Sequence, residues 1–310
     1  PALIHWVGQN TAGSPYWLVF ILSFLLLLVP TVLMGMTLPL LTQAFVKRLE
    51  NSGQIIGLLY GINTLGAATG ALGSGFILIG WYGLGGTLVI AAVINFIAGI
   101  GAAPLKPVKD ENNTDDSPRP APKTIPTRAP QLNFNIILGA AFLVGFIGMS
   151  FEMVWFRILG VFTKNTAYSF PSILFIFLAA LALGGWYWGR KADQSRDAAQ
   201  LFWKLQLAIG IVTSMAFFTF WLFIESPQFQ PRLRELFYEV RQPVPPTLQI
   251  DGELVFSRRA MLASLLAYFA PILLLVLPAG LLMGGGLPIL DKLAIDQASR
   301  TGRRVGDIHL

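Results

Sequence analysis

The strongest constraint on this chain is a series of apolar stretches, each long enough to cross a bilayer and nearly free of charge. They fall at about 16–40, 55–80, 84–104, 134–159, 168–189, 200–224 and 262–288. A hydrocarbon core takes roughly 20 apolar residues in helical form. Inside it the backbone must satisfy its own hydrogen bonds, which a helix does within one segment. Composition agrees. With 54% hydrophobic and 12% charged residues, the 310-residue chain carries too little charge to coat a water-soluble globule. The expected fold class is an all-α polytopic membrane protein of about seven transmembrane helices, with the lipid bilayer as its first partner.

Several functions drop out at once. There is no cysteine, so no disulfide, thiolate metal site or cysteine nucleophile. The two histidines, His5 and His309, stand at opposite ends of the sequence, and no metal or other cofactor is expected. The net charge of +6 is no nucleic-acid signal, because the cations gather in loops between apolar spans. No cleavable signal peptide is evident. The chain starts at Pro1 and stops at Leu310 just after a glycine pattern has restarted, so it reads as an internal fragment.

Charge asymmetry orients the spans. The loops 41–53, 106–132, 190–199 and 291 onward hold fourteen Lys and Arg, whereas the opposing loops hold six. Positive residues stay cytoplasmic. The expected location is the cell (inner) membrane, with the N-terminus of this chain extracytoplasmic. The stretch 106–132, with both charge signs and six prolines between Lys106 and Pro130, reads as a disordered cytoplasmic linker. It divides the chain into 1–105 and 133–310. In the extracytoplasmic loop at 225–260, Phe229, Leu233, Leu236, Phe237 and Val240 recur at helical spacing. That pattern suits a short interfacial helix. Asp251-Gly252 between apolar residues gives a hairpin signal, and a loop ordered only by its neighbours is the competing reading.

One phrase is written twice. "LMGMTLP" runs from Leu33 to Pro39 and "LMGGGLP" from Leu282 to Pro288, 249 residues later. Glycines follow at Gly53 and Gly57 in the first copy and at Gly302 and Gly306 in the second, at equal intervals. This is an internal repeat. Five spans separate the two phrase-bearing helices, so both cross in the same direction, and the repeat is parallel about an axis along the membrane normal. Gly35 with Pro39, and Gly284 with Pro288, mark equivalent helix ends, the prolines terminating their helices. Gly53, Gly57 and Gly61, then Gly66, Gly70 and Ser74, form two small-residue ladders suited to close helix packing, as do Gly280 and Gly284.

"LMGMTLPLL", "GLLYGINTLGAATGALGSGF", "GFIGMSFEMVWFRILG", "LALGGWYWGRKAD" and the second "LMGGGLPIL" together resemble the membrane domain of the fused major-facilitator/spermidine-synthase-like proteins. The resemblance covers nearly all the chain outside its loops. It implies a fragment of a duplicated six-plus-six helix bundle. Residues 1–105 then supply the last three helices of one unit, and 133–310 the first four of the next. It places Gly189–Asp193 in a cytoplasmic gate loop. It also implies, as in some members, a soluble aminopropyltransferase-like domain beyond this chain; a scaffolding role would instead take other membrane subunits as partners. No catalytic motif lies within the chain: "GALGSG" and "GLGGT" sit in or between apolar spans and lack dinucleotide spacing.

Few polar residues enter the spans. Glu152 is the one acid well inside, and ionisable residues at such depth mark function or pairing. Arg157, five residues on, points about 140° away on a helix and reads as an anchor that snorkels to the outer interface. Trp155 between them belongs to the same structural motif. Asn63 and Asn95 can bond between helices. Glu152 with Asn63 and Tyr60 is the candidate substrate site, for which Lys164 is a further possible partner of the carboxylate. The functions left open are a transporter-like domain that binds or moves a small amine-like solute, a structural or anchoring subunit, and the membrane part of a polyamine aminopropyltransferase fusion.

Overall fold

The computed structural model describes residues 16–46, 51–102, 134–162, 169–227, 231, 247–250, 253–256, 258–295 and 305. The linker 106–132, the apolar positions from Phe229 to Val240, and Lys164 lie outside them. Nine α-helices are described: α1 Tyr16–Gly35, α2 Thr37–Phe45, α3 Ser52–Gly73, α4 Ile79–Ala102, α5 Phe134–Phe162, α6 Ser169–Gln194, α7 Ala198–Glu225, α8 Arg258–Met283 and α9 Gly286–Ala294. A π-helical turn, Ser74–Leu78, joins α3 to α4. One hairpin is described, with strands β1 Thr247–Ile250 and β2 Glu253–Phe256 antiparallel and Ile250 opposite Glu253. It flanks Asp251-Gly252, as the hairpin reading of that pair requires.

Among the described residues six helical stretches are long and apolar enough to cross a membrane, one fewer than the spans read from the sequence. The difference lies at 52–101, a 50-residue stretch. At 1.5 Å per residue it is about 75 Å long, more than twice the ~30 Å hydrocarbon core. Gly83 breaks it, with φ +66°, a backbone conformation that costs glycine no Cβ clash. Trp81 and Tyr82 stand exposed at the break, where amphipathic aromatics suit a membrane–water interface. The chain is a multi-pass membrane protein. Helices α1 and α4 expose apolar side chains over most of their surface, the pattern of a span rather than a soluble helix.

The repeated phrase has the same shape in both copies, though not the expected one. Pro39 and Pro288 do not end their helices. The breaks come earlier, after Gly35 and after Met283, and each proline sits at the third position of a new nine-residue helix. In a first turn the missing N–H of proline would have had no intrahelical partner anyway. The residues before these short helices, Met36 (φ −72°, ψ −17°) and Gly285 (φ −79°, ψ −15°), match at an offset of 249. So do the closing bonds, Val46 N–H to the Thr42 carbonyl and Ile295 N–H to the Asp291 carbonyl. Val46, Ile56, Ile295 and Val305 then form one buried cluster, made of two pairs related by the same offset. Helices α2 and α9 therefore finish at the same end of the molecule, as a parallel repeat requires.

Helix α6 is the centre of the bundle. On one side Gly53, Gly57 and Gly61 of α3 face Gly189, Gly185 and Ala182, so closely that a Cβ on Gly57 would overlap the Gly185 carbonyl. On the other side Gly280 of α8 and Gly284, just past its end, meet Ala180 and the Leu181 carbonyl. Without hydrophobic drive between helices in lipid, such backbone proximity supplies the packing. The second ladder behaves differently: Gly66 and Gly70 have nothing within 4 Å, and Gly35 is equally open. Gly75 in the π turn, which the ladder reading passed over, packs on the Pro171 ring. The phrase's own difference, "MT" against "GG", has a cause. A Cβ on Gly285 would lie 2.6 Å from Trp188 and one on Gly286 2.9 Å from Val144, whereas Met36 and Thr37 are exposed.

Candidate functional site

Glu152 is partly buried on α5, and its helix is held by its neighbour one turn on. The fully buried Trp155 stacks on Phe217 of α7 at 4.7 Å and meets Phe151 edge-on at 5.8 Å. That packing fixes the rotation of α5 and sends Glu152 toward a chamber of about 320 Å³. Tyr60, Asn63 and Thr64 of α3 line the same chamber, with Gln206 of α7. Tyr60 and Thr64, at the i, i+4 spacing that brings helical side chains together, are hydrogen-bonded to each other. The ring of Tyr60 lies over Gly185, where a Cβ would come within 2.6 Å of it. Most of the remaining wall is aliphatic, including Val144, Ile147, Leu178, Leu181, Ile209 and Leu287. Among the described residues no cation lines the chamber, and no hydrogen bond or ion pair reaches the Glu152 carboxylate. A second cavity of about 10 Å³ lies against Glu152, walled by Trp155, Phe156, Phe170 and Phe177 among others. It has room for about one water molecule.

The other predicted residues fall elsewhere. Arg157 is exposed at the far end of α5, consistent with an interfacial anchor. Asn95 is exposed on α4 and does not line the chamber. Gly189–Asp193 is not a loop. It forms the last turns of α6, and its acid does the work there. Asp193 Oδ1 accepts from Gly53 N–H at 3.1 Å and from Lys292 Nζ at 2.7 Å, while Oδ2 accepts from Gln54 N–H at 2.6 Å. Helix α3 has no side-chain cap of its own at Asn51. Asp193 supplies it from another helix, placing negative charge at a positive helix end. Lys292 also donates to the Ala192 carbonyl at 2.9 Å, near the negative end of α6. This latch ties α3, α6 and α9 together, and Asp193–Lys292 is the one ion pair among the described residues.

The family model of the Major Facilitator Superfamily matches residues 2–228, more than half of the chain. The chain belongs to that superfamily. No curated protein and no solved structure matches it. The match makes this a transporter-type membrane domain and contains Tyr60, Asn63, Glu152, Asp193 and Gln206. It does not extend to a spermidine-synthase-like fusion or to polyamines. In this major-facilitator chain the sequence pointed to Glu152 as a rare buried acid, and to Tyr60 and Asn63 through their motif. Gln206 carried no such signal, being one amide in an apolar span. Lys292 and Asp193 were hidden in stretches that read as loop charge. The acid closing the basic run "GRKAD" was the signal that could have revealed the latch.

Proposed function

We propose that the chain binds and moves a small amine-like cation, with Glu152 as its counter-ion and Tyr60 and Asn63 as neutral partners. The observation that carries this reading is the shared chamber, in which helices far apart in sequence bring one carboxylate and several neutral hydrogen-bonding groups to a space of ligand size. A carboxylate in such walls, with no cation beside it among the described residues, favours a cationic guest. The reading divides the helices into two units, 1–105 and 133–310, joined by the linker, and puts the latch on the cytoplasmic side of a cell (inner) membrane. A scaffold that transports nothing would keep the glycine seam and need no chamber, and the chamber favours transport. A spermidine-synthase-like partner domain remains an implication of the sequence resemblance alone.

Replacing Glu152 with Gln tests the counter-ion, because the amide keeps size and hydrogen bonding but loses charge. Binding is to be measured by tryptophan fluorescence on purified protein in nanodiscs, with butylamine, phenethylamine, putrescine and spermidine as probes. The variant is expected to fold and to bind the best of these at least about thirtyfold more weakly, the scale on which losing one partner of a desolvated charge pair acts. Unchanged affinity would remove the carboxylate from recognition.

A further inference from the structure

We infer that the chamber is built for a monovalent organic cation with an apolar body and discriminates against polyamines. The inference rests on the cation-binding reading above and narrows it. Among the described residues one carboxylate, Glu152, faces the chamber, and every other polar lining group is neutral. Spermidine brings three ammonium groups. One can pair with Glu152, while the others would be set against aliphatic walls. An ion moved from water into such surroundings without a partner loses several kcal/mol. The nearby acids do not repair this. Asp193 is committed to Lys292 and to the α3 end, and neither it nor Asp291 lines the chamber.

The walls describe the rest of the guest. Met149 and Met283 flank the aliphatic residues, and methionine adapts to irregular apolar shapes. Behind Glu152 the aromatic cavity has space for about one water, so an alkyl or aryl body cannot enter it and must extend into the main chamber. The Phe177 ring, which borders both cavities, adds a surface suited to a cation. A cationic head at Glu152 and an uncharged body along α5, α6 and α7 is the arrangement that leaves no charge unpaired.

The test compares phenethylamine with spermidine on the full chain in nanodiscs, in wild type, Glu152→Gln and Met149→Asp. Phenethylamine is expected to bind wild type at least about tenfold more tightly than spermidine. Glu152→Gln should weaken that binding at least about thirtyfold. Met149→Asp places a second carboxylate at the wall. It should raise spermidine affinity at least about tenfold. Spermidine binding wild type as tightly as phenethylamine, with both dependent on Glu152, would overturn this inference and leave the cation site standing. So would a Met149→Asp variant that gains no spermidine affinity. If neither amine binds, or if binding ignores Glu152→Gln, the cation site itself falls, and this inference with it.

Discussion

Gly57→Leu is expected to prevent the bundle from assembling, whereas Gly66→Leu, nine residues along the same helix, should be tolerated. At Gly57 even a Cβ overlaps the backbone carbonyl of Gly185, and a carbonyl cannot rotate out of the way as a side chain can. The helices must separate. That breaks the contacts at Gly53 and Gly61 and draws the α3 end away from Asp193. Overpacking a well-packed site costs about 1–3 kcal/mol when side chains can yield. Here the loss should exceed about 3 kcal/mol, a large fraction of the ~5–15 kcal/mol that holds a typical domain. Gly66 has nothing within 4 Å, so leucine there meets no clash and should shift stability by less than about 0.5 kcal/mol. Thermal unfolding and monodispersity in detergent measure both. Equal damage at the two positions would mean that α3 packs on a different face.

Asp193→Asn should destabilise the protein far more than Lys292→Met, although the two residues form one ion pair. The carboxylate accepts from two backbone N–H groups as well as from Lys292. Asparagine presents one acceptor oxygen in place of two and leaves the Lys292 ammonium, about 20% exposed, without its counter-charge. A loss of roughly 2–4 kcal/mol is expected, since stranding one member of a buried pair is strongly destabilising. With Lys292→Met the acid keeps both N–H donors and the favourable helix end, so the loss should be about 1–2 kcal/mol. The double variant should fall short of additivity by at least about 1 kcal/mol, the mark of direct contact. Equal single effects, or strict additivity, would mean that the cap and the ion pair do not act as one latch.

What the sequence made legible follows from which physical signals are local. Apolar length gave the spans, and equal glycine spacing gave the repeat, because both depend on one segment at a time. The helix ends were misplaced at Pro39 and Pro288, four and five residues past Gly35 and Met283, because proline at a new helix's first turn and proline after a finished helix leave the same trace. The two glycine ladders of α3 look alike in sequence, yet one is packed against α6 and the other is open. Only the placement of the partner helix separates them. Glu152 was visible as an isolated acid, and its meeting with Tyr60 and Asn63 required knowing that α3 and α5 line one chamber. Gln206 and Lys292 depend wholly on such approaches.

The most direct measurement uses the absence of cysteine from the chain. Ala67 lines the chamber, whereas Leu143 is 56% exposed on α5 and does not line it. A single cysteine at each position is treated with a small water-soluble methanethiosulfonate reagent in membranes, with and without phenethylamine. Ala67→Cys should react, the amine should slow that reaction, and Glu152→Gln should abolish the protection, while Leu143→Cys in lipid stays unreactive. An Ala67→Cys that never reacts, or reacts at a rate indifferent to the amine, would contradict a solute chamber at Glu152.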